Sequence, residues 1–275
     1  MAIISVSLVS GAFAKKAFIT CVLAFFCFYK AFGQRHEIGT LFGGTYYLGD
    51  LNPVKQFALT RIALGGMYRI NFNQHLAARA SVFYGSVEGN DALLRFNPNR
   101  NLRFVSEIFE ASGQFEINFL QFTPGNFQTP FTPFIFLGGG ILRFYPKAQI
   151  PDNGVLRWTS LHGLQTEGID YSRTAYTLLF GGGLKFNITK RLTGSIEWGL
   201  RRAGTDYLDD VSSFYPDMSM LAPDDPRRIL SDPSLINAGQ NAGLLRGNPN
   251  TNDWYSFAGF GLSIKIPDIP RGKCP

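Results

Sequence analysis

The chain has 275 residues, enough for one large domain or two small ones. Charged residues make up only 17 %, against roughly 25 % in soluble domains, while aromatics reach 15 % and there are 30 glycines. That composition excludes a disordered or coiled-coil chain and fits an ordinary α/β enzyme poorly. The formal charge is +6, but Lys15, Lys16 and Lys30 lie in a segment read below as removed, leaving 23 Lys and Arg against 20 Asp and Glu. A net +3 is too weak to imply nucleic acid or another acidic partner.

The N-terminus reads as an export signal. Lys15 and Lys16 precede the apolar run AFITCVLAFFCFY at 17–29, and Ala31-Phe32-Gly33 supplies small residues at the −3 and −1 positions. A basic region, a short apolar core and such a site define a secretory signal over 1–33, cut before Gln34. The run is too short to span a bilayer comfortably as a helix, which takes about 20 residues. Cys21 and Cys27 fall inside it and lack the setting of a lipoprotein signal. The mature domain, 34–275, therefore keeps one cysteine, Cys274.

Beyond the signal, no stretch approaches 18 consecutive apolar residues, so no helical span is expected. Two-residue alternation recurs instead, over about ten residues at a time. At 61–71, Ile62, Leu64, Tyr68 and Ile70 oppose Arg61, Arg69 and Asn71. At 75–85, Leu76, Ala78, Val82 and Tyr84 oppose His75, Arg79 and Ser81. The same pattern marks 177–187, 191–201 and 256–266, with weaker copies at 37–47, 104–119 and 134–144. The eight segments predict an all-β fold, an eight-stranded antiparallel transmembrane β-barrel.

Loop lengths point the same way. The links 72–74, 120–133 and 188–190 are short or moderate, whereas 48–56, 86–103, 145–172 and 202–254 lengthen along the chain. Strict alternation of this kind matches tight periplasmic turns and long external loops. Tyr46, Tyr47, Tyr84, Phe144, Tyr145, Tyr176, Trp254 and Tyr255 gather near strand ends, where an interfacial girdle is expected.

Strand parity then predicts the lumen. Glu37, Arg61, Arg69, Arg79, Glu110, Glu116, Arg143, Lys185, Glu197, Arg201 and Lys265 are expected to point inward. So narrow a barrel is filled by its own side chains. Mixed charges there must pair, because an unpaired buried charge costs several kcal/mol. A salt-bridged plug is the expectation, ahead of an ion path.

Chemistry is sparse. Gly138–Gly140 and Gly181–Gly183 lack the GK[ST] continuation of a phosphate loop and read as tight bends or close backbone approach. Ser81, His75 and Glu197 could compose a nucleophile, base and orienting group, but their spacing does not single them out. Asp206, Asp209, Asp210 and Asp217 offer hard oxygen ligands without the spacing of a calcium loop, so they read as a solvated external loop. No catalytic residues, metal or cofactor are expected.

Some residues carry a family likeness. His36-Glu37-Ile38-Gly39, then Gly43-Gly44 and Tyr47-Leu48-Gly49-Asp50-Leu51-Asn52, resemble the opening of the PorG-like outer-membrane proteins of Bacteroidetes. Trp198 with the run Thr205-Asp206-Tyr207-Leu208-Asp209-Asp210-Val211-Ser212, then Tyr215 and Asp217, resembles that family's most recognisable segment. The resemblance implies a small non-enzymatic barrel of the bacterial outer membrane belonging to the type IX secretion system. Its implied partners are outer-membrane lipid and a periplasmic ring built from a lipoprotein and its partner subunit. The alternative is a stand-alone structural or adhesive barrel. An odd cysteine in an exported protein calls for an intermolecular partner or a free thiol. Cys274 is thus a candidate disulfide to a ring subunit.

Overall fold

The computed structural model describes residues 35–152 and 154–267. Residues 1–34, where a signal was expected, and the tail with Cys274 lie outside the described residues. Among the described residues are nine strands: β1 (Arg35–Leu48), β2 (Arg61–Asn71), β3 (Leu76–Asn90), β4 (Arg103–Asn118), β5 (Phe131–Asp152), β6 (Val155–Ser160), β7 (Thr174–Asn187), β8 (Leu192–Ala203) and β9 (Trp254–Lys265). Two short helices, α1 (Asp91–Leu94) and α2 (Pro226–Ser231), sit in the loops. No helix among these residues is long and apolar enough to cross a membrane.

Eight strands close a ring. Each pairs antiparallel with its neighbour, β5 with β7 across the β6 insertion, and β1 pairs with both β2 and β9. The closing seam runs from Glu37↔Lys265 to Leu48↔Trp254. Closure leaves no open barrel edge, which is what a strand wall in lipid requires. β6 folds back on the far end of β5, from Lys147↔Ser160 to Asp152↔Val155, as a hairpin beyond the rim. The alternation did not reveal it, because β6 is exposed except at the half-buried Thr159 and has no buried face to impose a period.

The predicted strands are all present and several run longer. β3 continues to Asn90 and β5 to Asp152, so the loop expected at 86–103 narrows to 91–102. Parity matches the expectation on the clear strands. Ile62, Leu64, Tyr68, Val82, Tyr84, Leu178, Phe180, Ile196, Trp198, Phe260 and Leu262 stand on the outer wall, each at least 40 % exposed. An apolar band of that extent on a folded chain marks a surface meant for lipid or a partner rather than water. The glycine runs allow close strand approach: a methyl on Gly183 would lie 2.0 Å from the Ile196 carbonyl oxygen.

Some inward assignments need correction. Arg143 is exposed on the outer wall, its guanidinium 5.5 Å from the Tyr145 ring centre. On β5 the even positions face in, so Phe134, Phe136, Leu142 and Phe144 fill the lumen and the odd Arg143 cannot. Three supposed girdle aromatics, Tyr47, Phe144 and Tyr255, are fully buried inside. An aromatic near a strand end follows its parity, and these three fall on the inner set.

Candidate functional site

Six charged groups cross the lumen toward the short-turn end. Arg79 makes a bidentate contact with Glu197, Nη1–Oε2 at 2.6 Å and Nη2–Oε1 at 3.1 Å. Its Nε lies 3.0 Å from Glu116 Oε1, and Arg69 Nε lies 2.9 Å from Glu116 Oε2. Lys185 donates to the same Glu116 oxygen at 2.6 Å and to Asn118 Oδ1 at 2.8 Å. Glu37 takes Arg69 at 3.4 Å, Asn71 at 2.7 Å and the Ser263 hydroxyl at 2.6 Å. Three carboxylates thus face three cations, all at 0–1 % side-chain exposure.

A second tier lies above. Arg201 Nε donates to Glu110 at 3.0 Å, and the Tyr255 hydroxyl donates to the same oxygen at 2.5 Å. Aromatic faces complete the packing: Lys185 sits 4.4 Å from the Phe134 ring centre, and Arg201 lies over Phe83 and Phe257. Charge is balanced in both tiers, and the strand wall leaves the ions nowhere else to pair. Of the predicted network, Glu37, Arg69, Arg79, Glu116, Lys185, Glu197 and Arg201 are brought together. Arg61 is not; it pairs with Glu88 at 2.6 Å, near the long-loop rim.

The long loops pack into a cap over the other end. Here the solvated-loop expectation fails: Asp209 and Asp210 are buried, Asp206 is half-buried, and Asp217 is exposed. The reason is the chain around them. Leu208 and Val211 join the apolar core with Leu51, Phe104 and Leu161, and so carry the adjacent acids inward. Asp209 Oδ2 accepts from the Tyr47 hydroxyl at 2.5 Å, which also lies 3.0 Å from Asp253 Oδ1. The backbone N–H of Leu208 caps Asp253, and that of Val211 caps Asp209. Burial, first, pushes both carboxyls well above the usual carboxylate range, helped at Asp209 by the charge of Asp253 and at Asp253 by that of Asp206.

Two arginines hold the cap. Arg246 donates to the Ser231, Leu230 and Asp210 carbonyls and to Glu167 Oε1 at 2.9 Å. Arg100 grips Asp91 through two contacts at 2.8 Å and reaches the Arg246 and Asp50 carbonyls. Asp210 accepts from Thr166 and from the Tyr171 hydroxyl, while Tyr171 stacks on Tyr207 at 4.6 Å. Tyr215 is buried in the same loop. At Gly247 the loops approach closely: a methyl there would lie 2.2 Å from Asp50 Oδ2 and 2.9 Å from the Ser212 backbone nitrogen. Neither arginine was visible as a site residue, since loops carry no period and Arg246 lies far along the chain from Arg100.

The catalytic candidates are engaged elsewhere. His75 Nδ1 lies 3.0 Å from the Asn118 carbonyl, the Ser81 and Ser112 hydroxyls meet at 3.2 Å, and Glu197 is held by Arg79. Among the described residues no group of three or more His, Cys, Asp or Glu could hold a metal ion.

A closed eight-stranded antiparallel wall, an apolar outer band and a polar plugged lumen define a β-barrel of the outer-membrane type. The chain belongs to the family described as a domain of unknown function (DUF6089), whose model matches residues 15–221. No curated protein matches it. Three solved structures are similar in architecture. Neisserial surface protein A is 8 % identical, with TM-score 0.45, over 85 % of this chain and 99 % of that one. Ail, the attachment invasion locus protein of Yersinia pestis, is 9 % identical with TM-score 0.38 over 85 % and 97 %. OprG of Pseudomonas aeruginosa is 12 % identical with TM-score 0.34 over 86 % and 95 %.

Proposed function

We propose that this chain is a non-enzymatic barrel of the bacterial outer membrane that anchors the periplasmic ring of a type IX secretion system. The observation that carries the anchoring role is the plug: a lumen crossed by balanced ion pairs makes a rigid peg rather than a conduit. The secretion role rests on the resemblance of the 36–52 and 198–217 segments to PorG-like proteins.

The short-turn end offers a built surface for such a partner. The 119–130 turn is organised by Asn187, whose amide donates to the Thr123, Asn126 and Thr129 carbonyls and whose oxygen accepts from Gly125 N–H. Phe122 tucks inside while Phe127 stands 55 % exposed on the turn. A rigid turn presenting an exposed aromatic is the kind of anchor that interfaces favour. Both barrel ends of the chain, Arg35 and Lys265, lie on this side, and a disulfide from Cys274 to a ring subunit would reinforce the attachment.

Affinity capture from detergent-solubilised outer membranes tests the reading. Ring lipoprotein and its partner subunit should co-purify with the wild type and be reduced with Phe127→Glu; their absence from the wild-type capture would overturn it. A second reading, an adhesive barrel, is favoured by the exposed Phe214, Leu244 and Leu245 on the opposite end. It expects binding of whole cells to a host or neighbouring surface to depend on those three residues.

A further inference from the structure

The cap encloses a cavity of about 420 Å³ between the rim of β4, the β5–β6 hairpin and the loop bearing Val211 and α2. That size lies within the range of small-molecule sites. Its inner wall is apolar, formed by Leu51, Leu102, Phe104, Leu161, Val211 and Leu230, all buried. Asp209 and Arg246 also line it, but their polar atoms are committed to partners within the cap. A polar guest would lose its water without gaining hydrogen bonds from these committed groups. An apolar chain carries no such penalty.

The mouth differs. Arg103 and Gln149 line it together with Leu156, which is 60 % exposed. Arg103 donates to Gln149 at 2.8 Å and shares a single acid, Glu88, with Arg61. Two guanidinium groups on one carboxylate leave a net positive charge at the entrance. Arg103 also lies over the Trp158 ring, 5.5 Å from its centre, which fixes the guanidinium at the edge of the hairpin. An apolar pocket below a positive rim matches one ligand chemistry.

We propose that the cap binds a single-chain amphiphile with an anionic head, the alkyl chain in the cavity and the head on Arg103. The site is independent of the ring-anchoring reading. The test uses the full-length mature protein in nanodiscs of zwitterionic lipid, with dansyl-undecanoate as probe and empty nanodiscs subtracted. Saturable binding displaced by laurate, and at least tenfold less well by dodecyltrimethylammonium, is expected. Lysophosphatidate as a second competitor distinguishes a membrane-derived source from a free fatty acid. Ala148→Phe, which fills a buried position of the lining, should weaken probe binding at least tenfold. Arg103→Gln should weaken laurate about tenfold and leave dodecanol unchanged. Heat-modifiable gel mobility checks that each variant is folded; if either fails, the wild-type preference for anion over cation decides. No saturable binding, equal displacement by the cation, or unchanged affinity in folded Ala148→Phe overturns the proposal.

Discussion

The Tyr47 hydroxyl lies between two buried carboxyl groups, 2.5 Å from Asp209 and 3.0 Å from Asp253. It has one proton to give, and both acids face it. The arrangement is satisfied when one carboxyl is itself protonated, so that acid, phenol and carboxylate form a chain of two hydrogen bonds. This joins the end of β1, the TDYLDDVS segment and the start of β9 at one point.

Removing the phenol should therefore loosen the cap. Tyr47→Phe leaves two buried carboxyls without their shared donor, at a cost of about 1–3 kcal/mol. Hydrogen exchange at the Leu208 and Val211 amides, which cap Asp253 and Asp209, should accelerate while exchange in the barrel strands stays unchanged. Asp209→Asn in the Tyr47→Phe background should restore part of the protection, because its amide can donate to Asp253 in place of the lost phenol.

The cap should weaken as pH rises. Burial lifts Asp206 to about 7, whereas an unfolded aspartate titrates near 3.9. A carboxyl that binds its proton more tightly in the folded state contributes stability fully present below about pH 4. That contribution is lost as pH climbs through about 7. Asp209 and Asp253, raised first by burial and then by neighbouring acids, act in the same sense. Cleavage at the exposed Arg227 by added protease should thus be faster at about pH 8 than at about pH 5.5 once the protease's own pH profile is divided out. Asp206→Asn should flatten the difference.

The lumen predicts a double-mutant pattern. Arg79→Met strands Glu197 and part of Glu116, at about 3–5 kcal/mol for a broken buried pair. Adding Glu197→Gln should recover a substantial part of that loss, which would not happen if Arg79 merely filled space. Urea unfolding of the protein in lipid, read by gel mobility, measures both.

The wall predicts a contrast between neighbours on β8. Ile196→Arg places a charge on the apolar band, at roughly 2–4 kcal/mol near the bilayer midplane. Ser195→Ala, one residue away and facing in, should be nearly silent because its hydroxyl has no hydrogen-bond partner to lose. Equal assembly yields for the two variants would contradict the face assignment.

How much of this was legible follows the period of the chain. In the strands each side chain alternates, so Arg69, Arg79, Glu116, Lys185 and Glu197 could be placed inside without knowing their partners. Arg143 was misplaced because its strand keeps aromatics, not polar residues, on the inner face. The cap was not legible. Its contacts join residues far apart, such as Arg100 with the Arg246 carbonyl and Asp50 with the Asn248 amide, and no local pattern announces them. The acids of the 206–217 segment looked solvated because composition cannot show that Leu208 and Val211 pull them under. Tyr47 looked like a girdle aromatic because it sits near a strand end, although its parity with Glu37, Leu41 and Thr45 puts it on the inner face.

Conductance of the purified protein in planar bilayers separates a barrel that holds position from one that passes solutes. The wild type should give a silent baseline at neutral pH, with step currents emerging only when the plug is cut, as in Arg79→Ala with Glu116→Ala. Reproducible unitary channels from the intact wild-type protein would contradict it.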